Sequence, residues 1–351
     1  MRIGKLRPEE LERLVLNRTG FKDPRVLVGG SVGEDAAVID IDGERALVVH
    51  TDPITGSLDL LGYLGVVIPS NDIAVRGVRP RWASTNVFLT PETREDEIDK
   101  IMRDIDVTAR RLEIAVIGGH TEYTDAVRRP VIVTTIMGLG RLEDIVTTRG
   151  ARPGDLVIMT KTAGVEGTAI LARDLRDLLF KRGVSREVID RASKYYENIS
   201  IVREAILLSS HRLVSSMHDP TEGGVIAGLA EIAYASNTSI NAYLDQIMIS
   251  NETKIITEAL GIDPLKMLSS GSLLACVRRD RVDEAIDILR KESIEARVIG
   301  EVVERRDYLV KLFSEDREIY IRDPYVEDPV ITLFNRIFGN NVSSNNHNNI
   351  Y

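Results

Sequence analysis

The stretch from Ala46 to Pro80 restricts the fold most. Its first part, Ala46-Leu-Val-Val-His50, is an apolar, partly β-branched run that reads as a buried strand ending at Thr51-Asp52. A Pro/Gly/Ser loop follows over residues 53–57. An apolar segment of helical period then carries Asn71 and Asp72 and is bounded by Gly77 and Pro80. A carboxylate at a strand end and another on the element that folds back over it can meet at one point. The stretch therefore predicts acids gathered at a strand–helix seam.

The remaining segments repeat that α/β rhythm. Residues 8–16 read as a short amphipathic helix closed by Gly20. A glycine-rich loop, Val28-Gly-Gly-Ser-Val-Gly-Glu-Asp35, feeds a strand over 36–41, and Asp42-Gly43 is a hairpin signal that pairs it with 45–50. A helix is expected over 60–77, with Pro69 kinking it or delaying its start to about Ser70. Further strands are expected at 82–89, 114–117 and 131–137, and a charged amphipathic helix at 94–112. Gly118-Gly-His-Thr-Glu122 reads as a turn closing the third of these strands. The polar, turn-rich residues 149–155 mark a domain boundary. Beyond it come strands near 156–159, 213–217, 240–244, 272–277, 296–303 and 308–313. Helices are expected after Gly164, from Asp219 to Ser236, and at 251–260 and 281–291. The expected class is α+β in two domains, 1–148 and 149–338, with a disordered Asn/Ser-rich tail at 339–351.

Composition narrows the function. The chain has 351 residues, 43% of them apolar and 28% charged, with a net charge of −9. That is enough for two hydrophobic cores and argues against a nucleic-acid footprint, which needs a basic face. No stretch has the length of a membrane span and no signal peptide is evident, so a cytoplasmic protein without membrane or nucleic-acid partners is expected. The single cysteine, Cys276, excludes a disulfide framework and reads as a buried strand thiol.

Asp35, Asp52 and Asp72 each fall at or beside an element end, where a ligand can reach them. Several carboxylates around one space repel one another unless a cation intervenes, and hard oxygen donors select Mg²⁺ or Ca²⁺. Glycine-rich loops next to such a pocket, at Gly33 and at Gly118-Gly119, suggest Mg²⁺-nucleotide. Asp219-Pro-Thr-Glu-Gly-Gly224 opens an apolar helix. Asp219 or Thr221 there is either an N-cap or, with Gly223 and Gly224, part of a ligand site at a helix N-terminus. His120 reads as a ligand-facing residue. His50 and His218 read as structural or indirect, and Lys161 as a surface lysine or a phosphate contact. There is no P-loop and no nucleophile elbow.

Seven segments in order resemble the PurM-like, aminoimidazole-ribonucleotide-synthetase superfamily: Gly33-Glu-Asp-Ala-Ala-Val38, Thr51-Asp52, Asn71-Asp-Ile-Ala74, Gly118-Gly-His-Thr121, Gly150-Ala-Arg-Pro-Gly-Asp155, Asp219-Pro-Thr-Glu-Gly-Gly224 and Ile299-Gly-Glu-Val302. Leu260-Gly-Ile-Asp-Pro-Leu265 and Ser270-Gly-Ser-Leu273 look most like the hydrogenase-maturation branch, HypE. The resemblance implies a homodimer in which two N-terminal sheets pair into a barrel beside an ATP cleft. It implies Asp35, Asp52 and Asp72 as ligands of Mg²⁺. Gly33, Thr51, Asn71, Gly118, Gly119, Thr121, Thr221, Gly223 and Gly224 would join them around the nucleotide, and Asp72, His120 and Asp219 would be the catalytic candidates. The implied reaction is ATP-dependent phosphorylation of an amide, carbonyl or phosphate oxygen on a small-molecule or protein-borne substrate. HypE-type enzymes carry their substrate on a C-terminal cysteine, whereas this sequence ends Asn-Asn-His-Asn-Asn-Ile-Tyr, so the cyanide-forming role is not carried over. Alternative readings are a small-molecule kinase like thiamine-monophosphate kinase, or a non-catalytic nucleotide-binding paralogue that acts through partners.

Overall fold

The computed structural model describes residues 4–55 and 59–339, so the expected disorder beyond Gly339 lies outside the described residues. Two sheets organise the chain. The first contains β1 (Val26–Val28), β2 (Ala37–Asp40), β3 (Arg45–Ile54), β4 (Trp82–Leu89), β5 (Ala115–Tyr123) and β6 (Val131–Arg141). Its spatial order is β1-β2-β3-β6-β4-β5, antiparallel except for the β4–β5 pair. The expected Asp42-Gly43 hairpin is present, with Ala37 opposite Val49.

Three helices accompany this sheet: α1 (Pro8–Leu11, continuing as a π-helical turn to Leu16), α2 (Leu61–Ala74) and α3 (Glu95–Arg111). α3 is amphipathic and buries Ile101, Ile105, Thr108 and Ala109. α2 is apolar all round, as a helix buried on every side must be, and Tyr63 is its one residue that is not buried. Gly62 permits that packing, because a Cβ there would lie 2.3 Å from the Ile101 carbonyl oxygen of α3. The helix runs through Pro69 rather than starting after it. Burial on all sides outweighs the lost backbone hydrogen bond.

The second sheet contains β7 (Leu156–Thr160), β8 (Val214–His218), β9 (Ser239–Tyr243), β10 (Leu274–Val277), β11 (Ala296–Val303), β12 (Val310–Phe313) and β13 (Glu318–Ile321), in the order β13-β12-β9-β11-β7-β10-β8. Around it lie α4 (Val165–Asp174), α5 (Arg176–Lys181), α6 (Arg186–Ala192), α7 (Val202–Ser210), α8 (Gly224–Ala235), α9 (Asn251–Leu260), α10 (Val282–Lys291) and α11 (Pro329–Gly339). β13 and α11 were not anticipated. β13 alternates exposed and half-buried residues at the sheet edge, and α11 docks Val330 into the cluster formed by α4, α6 and α9.

Residues 118–122 are not a turn. They continue β5, and opposite the register shift at Ala83/Ser84 the strand comes so close to β4 that a Cβ on Gly119 would sit 1.7 Å from the Thr85 carbonyl oxygen. Gly119 serves backbone approach here, whereas a Cβ on Gly118 would meet open space. Among the described residues, no helix is long and apolar enough to cross a membrane.

Candidate active site

The period-2 alternation of β3 decides what it contributes. His50, Asp52 and Ile54 face the cavity under α2, whereas Thr51 lies on the opposite, uncovered face, hydrogen-bonded at 2.8 Å to the Thr135 hydroxyl. α2 brings Asp72 over the strand end. One ligand atom from each of His50, Asp52 and Asp72 lies within 4.8 Å of the others, and His50 Nε2 is 3.5 Å from Asp72 Oδ2.

Burial raises the Asp72 carboxyl well above its usual range, and the charges of Asp35, Asp52 and Asp219 raise it further. Burial likewise raises Asp52 to about 6, and desolvation pushes His50 down to about 4, so its imidazole is neutral at pH 7. The site holds acids whose ionisation the bare protein opposes. A divalent cation reverses that sign, and the oxygens of Asp52 and Asp72 are the donors Mg²⁺ requires.

Asp35 is held differently. His218, at the end of β8, points Nδ1 at both Asp35 oxygens (2.9 and 3.0 Å) and Nε2 at Glu231 Oε2 (2.8 Å) on α8. Desolvation works against the imidazolium, but the two carboxylates override it and raise His218 to about 10. Burial likewise works against the Asp35 carboxylate, and His218 and Arg76 together hold its pKa below the usual value. Next to it, the buried Glu34 accepts from Arg149 and lies 2.8 Å from the fully buried Arg76 guanidinium. The loop carrying Asp35 is thus tied to Arg76 just past α2, to the interdomain segment and to the second sheet.

These elements enclose a cavity of about 540 Å³ between the two domains, within the range of small-molecule sites. Gly33, Asp35, Asp52, Asp72 and Thr221 all line it, together with Lys5, Glu166, Glu222 and Ser270. Gly33 has φ +82°, and a Cβ there would meet the Glu231 carbonyl oxygen at 2.9 Å, so the loop packs directly on α8. Lys5 Nζ donates to Thr221 Oγ1 at 3.0 Å; against desolvation, Glu231, Glu222, Asp52 and Asp35 keep its pKa raised.

Other sequence candidates lie elsewhere. Asn71 donates to the Ile199 carbonyl and accepts from the Ile201 amide, both at 3.0 Å, pinning α2 to the second domain. Gly223 and Gly224 are covered by backbone, and the Gly223 amide is used by Asp328 at 3.1 Å. Gly118, Gly119, His120 and Thr121 sit on the exposed edge strand β5, with His120 3.1 Å from Glu122, and none of them lines this cavity. Asp219 is buried beneath the site and is not part of the cavity wall. Among the described residues neither of its oxygens has a completed hydrogen bond, and burial raises its carboxyl to about 7. Lys161 binds the carbonyls of Asn198 and Ser200 and pairs with Glu204 at 2.7 Å, so it is neither a free surface lysine nor a cavity group. Burial pushes the Cys276 thiol up.

Sequence reasoning left His50 and His218 as structural or indirect and gave no role to Glu231, Glu166 or Lys5. Two signals were available. His50 shares strand parity with Asp52, and Glu231 is the one charged residue of α8.

The linear arrangement and both domains match one known family: residues 33–140 fit the AIR synthase related protein N-terminal domain, and residues 152–312 its C-terminal domain. The chain belongs to the AIR synthase related family. It is 27% identical over 306 residues to a putative hydrogenase expression/formation protein of Methanocaldococcus jannaschii, covering 85% of this chain and 88% of that one. It is 26% identical over 289 residues to the carbamoyl dehydratase HypE of Bradyrhizobium diazoefficiens, covering 80% and 81%. The fold matches a crystal structure of the hydrogenase maturation protein HypE in complex with ATP at TM-score 0.68 and 22% identity, covering 92% and 96%.

Proposed function

We propose that this chain is a Mg²⁺-dependent, ATP-using enzyme that phosphorylates an oxygen of an amide, carbonyl or phosphate group. The observation that carries the reading is the Asp52–Asp72 pair. Two carboxylates kept above their usual pKa at the wall of an interdomain cavity form a cation site in waiting. Its support from outside the chain is the HypE relative described as a carbamoyl dehydratase and the related fold with ATP bound. When bound, Mg²⁺ supplies charge neutralisation for the phosphates.

The chain's own residues do the positioning. Asp52 and Asp72 hold the cation, and Asp35 completes the acidic wall under the restraint of His218 and Arg76. Gly33 and Thr221 flank the phosphate side, and Lys5 stands among the acids at the edge of the cavity. Neutral His50 orients Asp72. Asp219, beneath the wall, sets the local charge. Asn71, Gly223 and Gly224 hold the two domains and α8 in place.

The reading includes a homodimer. All nine residues of β5 are exposed, Val116, Ile117 and Tyr123 among them. The face of the first sheet away from α2 carries half-buried Val49, Val133 and Met137, and among the described residues no layer covers it. An antiparallel sheet can leave one face to water, but an apolar face with an apolar edge strand suits a second sheet. Pairing two copies would bring Thr51, Gly118, Gly119, Thr121 and His120 to the interface.

Calorimetric titration of ATP with Mg²⁺ or with EDTA, into wild type and Asp72→Asn, tests the core of this. We expect Mg²⁺-dependent binding in the wild type, weakened at least tenfold in the variant. Equal affinity in all four titrations would sink the metal reading.

A further inference from the structure

We propose that the cavity ends in an apolar chamber, and that this chamber receives a hydrocarbon body, aliphatic or aryl, carried by the phosphoryl acceptor. The inference rests on the ATP chemistry proposed above, which puts the phosphates at the acids, and it gives the acceptor a chemical class.

The cavity walls change character along one direction. On α2 the lining residues are Asp72, Ile68 and Leu64, at four-residue spacing on one face, so Leu64 lies about 12 Å along the helix from Asp72. On β3 the same side carries His50 and Asp52 and then Ile54, about 13 Å along the strand from His50. α2 follows β3 and packs back over it, so both elements turn from charged to apolar toward the same end. α4 repeats the step, with buried Glu166 followed one turn later by Ile170. Ile54, Leu64, Ile68 and Ile170 belong to one hydrophobic cluster, against which Leu268 and Phe334 pack.

α11 closes this end of the cavity, which Val330, Ile331 and Phe334 line. The family match stops at residue 312, and α11 lies beyond it. The side chains gathered here are hydrocarbons. A phosphate, a carboxylate or a sugar hydroxyl placed among them would lose its hydration and gain no side-chain partner. Adenine has the flat shape, but its ring nitrogens and amine need partners too, and Asn335, the polar residue that α11 adds to the lining, is exposed. A hydrocarbon body loses nothing of that kind and gains by leaving water. The acids then fix the reacting end of the complex while the chamber fixes the far end of the acceptor, which orients the oxygen to be phosphorylated.

The test uses the full chain and four probes: benzyl alcohol, 2-naphthalenemethanol, glycerol and adenosine. Saturation-transfer NMR reads their binding in wild type, Ile331→Asn and Phe334→Ala, each first checked for an unchanged urea midpoint. In the wild type we expect benzyl alcohol to bind at least tenfold more tightly than glycerol, and neither adenosine nor saturating Mg²⁺-ATP to displace it. Ile331→Asn should weaken benzyl alcohol at least fivefold. Phe334→Ala, which widens the chamber, should shift preference toward 2-naphthalenemethanol. Benzyl alcohol binding no better than glycerol, or unchanged probe binding in both variants, would overturn the proposal. Displacement by adenosine would overturn it as well, because the chamber would then hold the nucleotide base; this arm needs no variant and decides even if both substitutions impair folding. If calorimetry finds no ATP binding while benzyl alcohol binds and responds to the variants, the nucleotide reading falls and the apolar chamber stands.

Discussion

Arg76 offers the most direct test of how the acidic loop is held. Its guanidinium is fully buried, 2.8 Å from Glu34 Oε2 and 3.5 Å from Asp35 Oδ2, and it donates to Thr148 Oγ1 at 3.2 Å. Arg76→Met keeps the volume and removes the charge. Glu34, its side chain 2% exposed, then keeps only Arg149 and the amides of residues 148 and 149. Breaking a buried pair on one side costs about 3–5 kcal/mol, because the remaining charge stays desolvated. With Arg149 still in place, the lower end applies, about 3 kcal/mol. Removing both charges in Arg76→Met/Glu34→Gln should cost less than the two single changes summed, by about 2 kcal/mol. Urea unfolding followed by circular dichroism measures this through the midpoint, provided the slope is unchanged. Additive losses, or a single-variant cost under about 1 kcal/mol, would refute the idea that Glu34 and Arg76 act as a buried unit.

Two further tests concern the clamp and the dimer. His218 has a folded pKa of about 10 against 6.5 unfolded, so its stabilisation is complete below pH 6.5 and is lost as pH rises through 10. The upper bound is about 5 kcal/mol for the whole shift, and Asp35's gain is the same interaction counted from the other side. The urea midpoint should fall between pH 6.5 and 9.5 in wild type and stay flatter in His218→Gln; parallel profiles would remove the clamp. Ile117→Lys places a charge on exposed β5, and light scattering at micromolar concentration should show a dimeric wild type and a monomeric variant. A monomeric wild type would end the paired-sheet reading.

Much of the architecture was legible because its signals are local. Asp42-Gly43 between two apolar runs specifies a hairpin wherever it occurs, and the spacing of Ile101, Ile105 and Thr108 marks the buried stripe of α3. Gly118-Gly119 misled for a local reason as well. Glycine pairs commonly signal turns, yet here Gly119 lets an edge strand approach Thr85, a contact that spacing alone does not reveal. Pro69 shows the same limit, since its helix is sustained by burial against β3, β6, α3 and α7 rather than by propensity.

The candidate site divides along the same line. From sequence alone come the acids at element ends, the strand–helix seam that joins Asp52 to Asp72, and the family itself, because each depends on neighbours a few residues apart. Tertiary structure decided which groups face which. It set His218 against Asp35 across 183 positions, turned Thr51 to the far face, moved His120 to an open edge and left Glu166 in a negative field. Charge state follows burial and partners, and those are created only when distant segments pack.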